Sequence, residues 1–163
     1  MTFEDFVRAE LVALTRFAGA LAGDRALAED ILSDALLKVI HRWRRISGMH
    51  DPAAYVRRVV VTTYLSQRRT AKRRRTDPVG DLSATDRAVP DASAEVVARA
   101  EVEWVLAKLP PQQKAAVVLR YLLDQTDEQI AEALGCTPAT VRSHLSHARA
   151  ALRLTAPATT TKE

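Results

Sequence analysis

Residues 126–149 read TDEQIAEALGCTPATVRSHLSHAR, and this stretch decides the fold. Thr126 suits a helix N-cap, and Gln129 three residues later completes a capping box. Ile130, Ala131 and Leu134 fall on one side of the helix that follows, with Ala131 small where two helices cross closely. Gly135 ends that helix, because only glycine adopts positive φ without penalty. Thr137 caps a second helix and Pro138 opens it. Val141, Leu145 and Ala148 bury that helix, leaving Thr140, Arg142, Ser143, His144 and His147 outward. Two short capped helices joined by a tight glycine turn read as a helix-turn-helix, expected to place its second helix in the major groove; the alternative, a plain helical hairpin in a core, explains the glycine turn and paired caps less well. The outward side chains are types that reach phosphates and base edges, and no acid interrupts them.

Working outward, the whole chain reads as all-α. Glycine is scarce, with 5 in 163 residues, and Ala, Leu, Arg and Glu dominate. Phe3, Phe6, Val7, Leu11, Leu14, Phe17 and Leu21 recur at steps of three and four, which is one apolar helical stripe. Gly23 and Asp24 stop it and cap the next. Leu27, Ile31, Ala35, Val39, Trp43 and Ile46 continue the pattern, with Glu29, Asp30, Asp34 and Lys38 on the other side. Asp51-Pro52 opens a further helix. The run Val59–Tyr64 is β-branched and reads as strand by propensity. The preceding cap and the Arg-rich continuation make it helix. Val97, Ala100, Trp104, Val105 and Leu109 form an apolar face that ends at Pro110-Pro111. A helix with Ala116, Val117, Leu119, Tyr121 and Leu122 then leads into the helix-turn-helix.

Charge divides the chain. Residues 57–75 hold eight Lys or Arg and no acid. Residues 76–95 then hold five acids against one base, with Pro78, Gly80 and Pro90. The expected organisation is two small helical domains, 1–75 and 96–155, a flexible acidic linker at 76–95, and a tail at 156–163. Extended, the linker reaches roughly 70 Å, about two turns of duplex DNA. Tyr55 and Tyr64 lie beside the basic run, and rings next to cations suit unstacked bases and phosphates.

Other functions find little support. No serine, cysteine or histidine constellation suggests catalysis, and no glycine-rich phosphate loop occurs. No cofactor is expected. His144 and His147 lie one turn apart, but Cys136 precedes their helix, so no metal site is expected. Cys136 is read as a small packing residue. Trp43 and Trp104 are read as core anchors. With one cysteine no intrachain disulfide forms, and no signal peptide or apolar span is seen, so a cytoplasmic location without membrane insertion is expected.

These residues resemble the extracytoplasmic-function (ECF) sigma factors of the sigma-70 family, nearest the SigE-like actinobacterial subgroup. AEDILSDALLKVIHRWRRI (28–46) resembles the part that docks on the clamp helices of the RNA polymerase β′ subunit. DPAAYVRRVVVTTYLSQRR (51–69) resembles the part that melts and reads the promoter −10 element. LPPQQKAAVVLRYLLDQTDEQIAEALGCTPATVRSHLSHARAALR (109–153) resembles the part that reads the −35 element. The resemblance implies a polymerase contact through Asp30, Ser33, Asp34, Leu37 and Lys38. It implies −10 contacts through Tyr55, Arg57, Arg58, Thr62, Tyr64, Arg68 and Arg69. It implies −35 contacts through Thr137, Thr140, Arg142, Ser143, His144 and His147. Core RNA polymerase (β′ clamp helices and β flap), promoter DNA and an anti-sigma factor are the implied partners. The chain departs from the family pattern at Ser33, where Gln is frequent, at Thr62 (Asn), at Ala139 (Gly), and at His144 and His147, where basic residues are frequent. The competing reading is a stand-alone helix-turn-helix regulator that binds operators as a dimer. Such a regulator has no need for the acid-bearing helix at 28–46 or the basic run at 57–75.

Overall fold

A computed structural model describes residues 1–76 and 102–155. Among these residues every regular element is a helix. The chain divides into two compact units, Met1–Glu101 and Val102–Glu163. The sequence expectations for the linker at 76–95, for Val97 and Ala100 and for the tail at 156–163 fall outside the described residues, apart from Thr76, which ends a helix.

In the first unit, α1 (Phe3–Ala22) is capped by Thr2, whose hydroxyl accepts from the Asp5 N–H at 3.1 Å. Gly23, at φ 68°, ends it in the left-handed region. Asp24 then caps α2 (Arg25–Ile40) by accepting from the Leu27 N–H at 2.9 Å. The apolar pattern from Leu27 to Ile46 reads as one helix, but the chain breaks at Arg42 (φ −118°, ψ 9°) and restarts as the single turn α3 (Trp43–Ile46). The break turns Trp43 back onto α1, with ring centroids 5.5 Å from Phe3 and 4.9 Å from Phe6. Its indole N–H donates to the Met1 carbonyl at 3.2 Å.

Asp51 caps α4 (Pro52–Thr76) by accepting from the Ala54 N–H at 2.9 Å. The β-branched run lies inside this 25-residue helix. Tertiary burial overrides strand propensity there: Val56, Val60, Val61, Tyr64 and Leu65 form its core-facing side. α4 packs against α1 and α2, whose buried stripes include Phe17, Leu21, Ile31, Ala35 and Val39. Each such aliphatic or aromatic side chain contributes about 1.5–3 kcal/mol when fully buried.

In the second unit, residues 102–107 form α5, and residues 108–110 separate it from α6 (Pro111–Tyr121), which Pro110 precedes as N-cap. Six consecutive α6 residues, Lys114–Leu119, are buried, so α6 is the central helix of this unit. It packs against α7 (Asp127–Leu134) and α8 (Pro138–Thr155), which also pack against each other. Ile130, Ala131, Ala133, Val141, Leu145 and Ala148 supply their buried sides. No helix among the described residues is long and apolar enough to cross a membrane.

Candidate nucleic-acid interface

The α7–α8 connection has the geometry expected from its sequence. The Thr126 hydroxyl accepts from the Gln129 N–H at 3.2 Å, and the Gln129 side chain accepts from the Thr126 N–H at 2.9 Å. Gly135 takes φ 67°, and the Cys136 N–H closes the helix end on the Ala131 carbonyl at 3.0 Å. Thr137 caps α8 by accepting from the Thr140 N–H at 3.2 Å, and the two threonine hydroxyls pair at 2.9 Å. Both hydroxyls are therefore already engaged at the helix start.

Arg142, Ser143 and His147 are exposed on α8 and Thr140 is half-buried. His144 differs from the outward placement read from sequence. It borders the buried stripe Val141–Leu145–Ala148, so it is half-buried and its Nε2 is enclosed. Burial pushes its pKa below the ordinary histidine value, and neighbouring His147 pushes in the same direction. Burial also raises the Cys136 thiol, the opposite of an activated thiolate.

Behind this face, Asp127 at the start of α7 joins two arginines. One carboxylate oxygen takes the Arg120 guanidinium from α6, and the other lies 3.4 Å from Arg142 Nη1 on α8. Neither Asp127 nor Arg120 stands out in the sequence as more than a first-turn acid and a helix cation. Only the packing of three helices brings them to Arg142.

On α4, the helical step of about 100° per residue separates side chains that sequence proximity groups together. Tyr55, Arg58, Thr62 and Arg69 share one face, with Arg58, Thr62 and Arg69 exposed and Tyr55 half-buried. Arg57, Tyr64 and Arg68 point toward the opposite side. Tyr64 is 2 % exposed, and burial raises its phenol pKa against the opposing influence of Arg68. It is a core residue, and its ring is not presented to bases. Arg57 is half-buried, with Nη2 3.9 Å from the Asp51 carboxylate that caps its own helix. Trp104 also departs from expectation. It is 58 % exposed, and Lys108 Nζ lies 3.3 Å from its ring centroid, so a cation covers the indole in place of a core.

The α2 residues Asp30, Ser33, Asp34, Leu37 and Lys38 all lie on one exposed face, opposite the buried Ala28–Ile31–Ala35–Val39 side. Leu37 is 60 % exposed there. Asp30, Ser33 and Asp34 also form one wall of a groove whose other wall is Ser66, Gln67, Thr70 and Arg74 of α4. Gln67 donates to Asp34 at 2.9 Å, and the Lys38 ammonium donates to Thr63 at 3.0 Å. The α4 partners of this face are not apparent in the sequence, because nothing local reports the α2–α4 register.

Comparison with known proteins places both units. The family described as sigma-70 region 2 matches residues 6–74, and sigma-70 region 4 matches residues 99–152. The chain is 35 % identical over 153 residues to the RNA polymerase sigma-E factor of Streptomyces avermitilis, covering 94 % of this chain and 84 % of that protein. It is 33 % identical over 144 residues to the ECF RNA polymerase sigma factor SigL of Mycobacterium tuberculosis, covering 87 % of this chain and 81 % of that one. Its fold resembles that of the sigma factor RpoE in complex with the anti-sigma factor NepR from Bartonella quintana, with a TM-score of 0.73 at 24 % identity over 93 % of this chain and 94 % of that one. Two matched sigma-70 regions and relatives aligned over most of both lengths establish that this chain belongs to the ECF sigma factors of the sigma-70 family.

Proposed function

We propose that this sigma factor acts as a dissociable, non-catalytic subunit that brings core RNA polymerase to two-part promoters, with a division of labour set by its two units. Residues 96–155 bind the −35 element as duplex, through Arg142, Ser143 and His147 on α8. Thr137 and Thr140 fix the start of that helix. Residues 1–75 hold unpaired −10 bases along the Tyr55–Arg58–Thr62–Arg69 face of α4. Capturing strands offsets the few kcal/mol per step that unstacking costs. The α2 face of Asp30, Ser33, Asp34 and Leu37 docks on the β′ clamp helices, and the second unit on the β flap. An anti-sigma factor competes for these faces; the sigma factor RpoE, whose fold this chain shares, forms a complex with the anti-sigma factor NepR.

The observation that carries this reading is the coexistence of two unlike interfaces in one chain. One is an acid-free helix-turn-helix face on α8, and the other a basic helix beside an exposed acidic α2 face. A dimeric operator-binding regulator needs only the first. In vitro transcription tests it, using the purified protein with core polymerase of its source organism and a genomic fragment library. Transcripts should start downstream of a shared two-part motif and be lost on combined Asp30→Lys and Asp34→Lys reversal. No transcripts, together with polymerase-independent binding to palindromic duplexes, would favour the dimeric regulator.

A further inference from the structure

The Asp127 bridge serves the recognition helix as well as the core. Anchoring α7 to α6 requires one carboxylate oxygen, and Arg120 occupies it. The second oxygen faces Arg142, whose side chain is 62 % exposed and extends from α8. We infer that Asp127 is a positioning residue that sets the base specificity of this sigma factor by holding the Arg142 guanidinium in a fixed direction on the −35 reading face. This rests on the proposal that Arg142 reads duplex DNA.

Two physical consequences follow from the placement. A guanidinium held by a carboxylate has already given up rotamer freedom, so less is lost when it meets a base edge in forked geometry. The carboxylate also offsets part of the positive charge that would otherwise attract any phosphate, which weakens sequence-independent binding. Both effects widen the gap between the correct element and other sequences. Glu128 occupies the next position in the same helical turn and is exposed, so it provides the matched charge control.

The test uses the full chain in complex with core polymerase, transcribing a promoter pool randomised across the −35 element, with active templates sequenced. Arg142→Ala should flatten the preference at one or two base pairs. Asp127→Asn should reduce the preference at those same positions about tenfold, the scale of one forked base contact. Glu128→Gln should leave it unchanged. Arg120→Gln removes the core half of the bridge and should lower the thermal midpoint while retaining the preference. A wild-type preference in Asp127→Asn, with Arg142→Ala flattened, overturns the positioning role and leaves the −35 reading intact. Equal flattening by Arg120→Gln reduces Asp127 to a structural anchor and also overturns it. No change at any position in Arg142→Ala removes the −35 role of Arg142 itself. Should Asp127→Asn fail to fold, Asp127→Glu keeps the charge and displaces the carboxylate by one methylene, and it should still shift the preference at the Arg142 positions; an unchanged preference overturns the role.

Discussion

The Lys38 ammonium donates to the Thr63 hydroxyl at 3.0 Å, joining the exposed face of α2 to a residue of α4 that is 2 % exposed. Lys38 belongs by sequence to the polymerase-docking set, yet its charge is engaged within the unit. Removing either partner loses one net hydrogen bond, although a freed lysine can still reach water along its long stem. Thr63→Val should therefore destabilise the first unit by about 1 kcal/mol, measured by urea unfolding. Equal loss from Lys38→Met, with no further loss in the double variant, would confirm that the two act as one pair.

Tyr64 belongs to the core side of α4 and not to its proposed DNA-contacting face. Its ring is buried, so Tyr64→Phe should leave promoter opening unchanged. Tyr64→Ala should cost about 3–5 kcal/mol, as large aromatic truncations in cores do. Tyr55→Ala should do the reverse, weakening opening with little change in stability. Permanganate footprinting of unpaired thymines, paired with thermal unfolding, distinguishes these outcomes.

His144 makes the second unit sensitive to acid. Its folded pKa lies below the ordinary value because of burial and His147. The unfolded chain therefore takes up a proton first as pH falls. The stabilisation is fully present above the unfolded value of about 6.5 and is lost as pH falls through the depressed folded value. Thermal midpoints should decline across that window in the wild type, and His144→Gln should flatten the decline. Because burial disfavours the protonated form of His144, it should also contribute less than an unburied histidine would to any gain in DNA affinity between about pH 8 and about pH 6. A gain that disappears in His144→Gln but survives in His147→Gln would contradict this.

Gly135 is held at φ 67° with open space where a Cβ would lie. The penalty for Gly135→Ala is therefore backbone conformation alone, about 1–2 kcal/mol. Its effect on −35 discrimination should be small at temperatures where the unit stays folded. A much larger loss by calorimetry would mean that the turn carries packing as well.

The helix-turn-helix was legible because its signals are local. A capping threonine, Gln129 three residues later, and a glycine at the left-handed stop each act within one helical turn. The family resemblance was legible for the same reason, as were the charged outer face of α2 and the caps at Thr126, Thr137 and Asp51. Periodicity also gave most of the buried stripes of α1, α2 and α8, although Leu11, placed on the α1 stripe by its spacing, is exposed. What periodicity could not give was the point at which a stripe ends and its helix breaks. The turn at Arg42 goes with contacts of Trp43 on Phe3 and Phe6 of α1, which lie far from it in the chain.

The sequence by itself determined the all-α class, the helix-turn-helix, the segregation of acid from base and the family. Each of these depends on residue type and on spacing within a few turns. Only the tertiary structure decided which side of α4 faces the core. That choice separates Tyr55, Arg58, Thr62 and Arg69 from the buried Tyr64 and the half-buried Arg57 and Arg68. It likewise decided that His144 is partly enclosed, that Trp104 lies under a lysine, and that Asp127 meets Arg142. The physical reason is shared by all four. Charge and hydropathy constrain a residue only on average, whereas exposure and pairing depend on which neighbours the packing of other helices brings within contact distance.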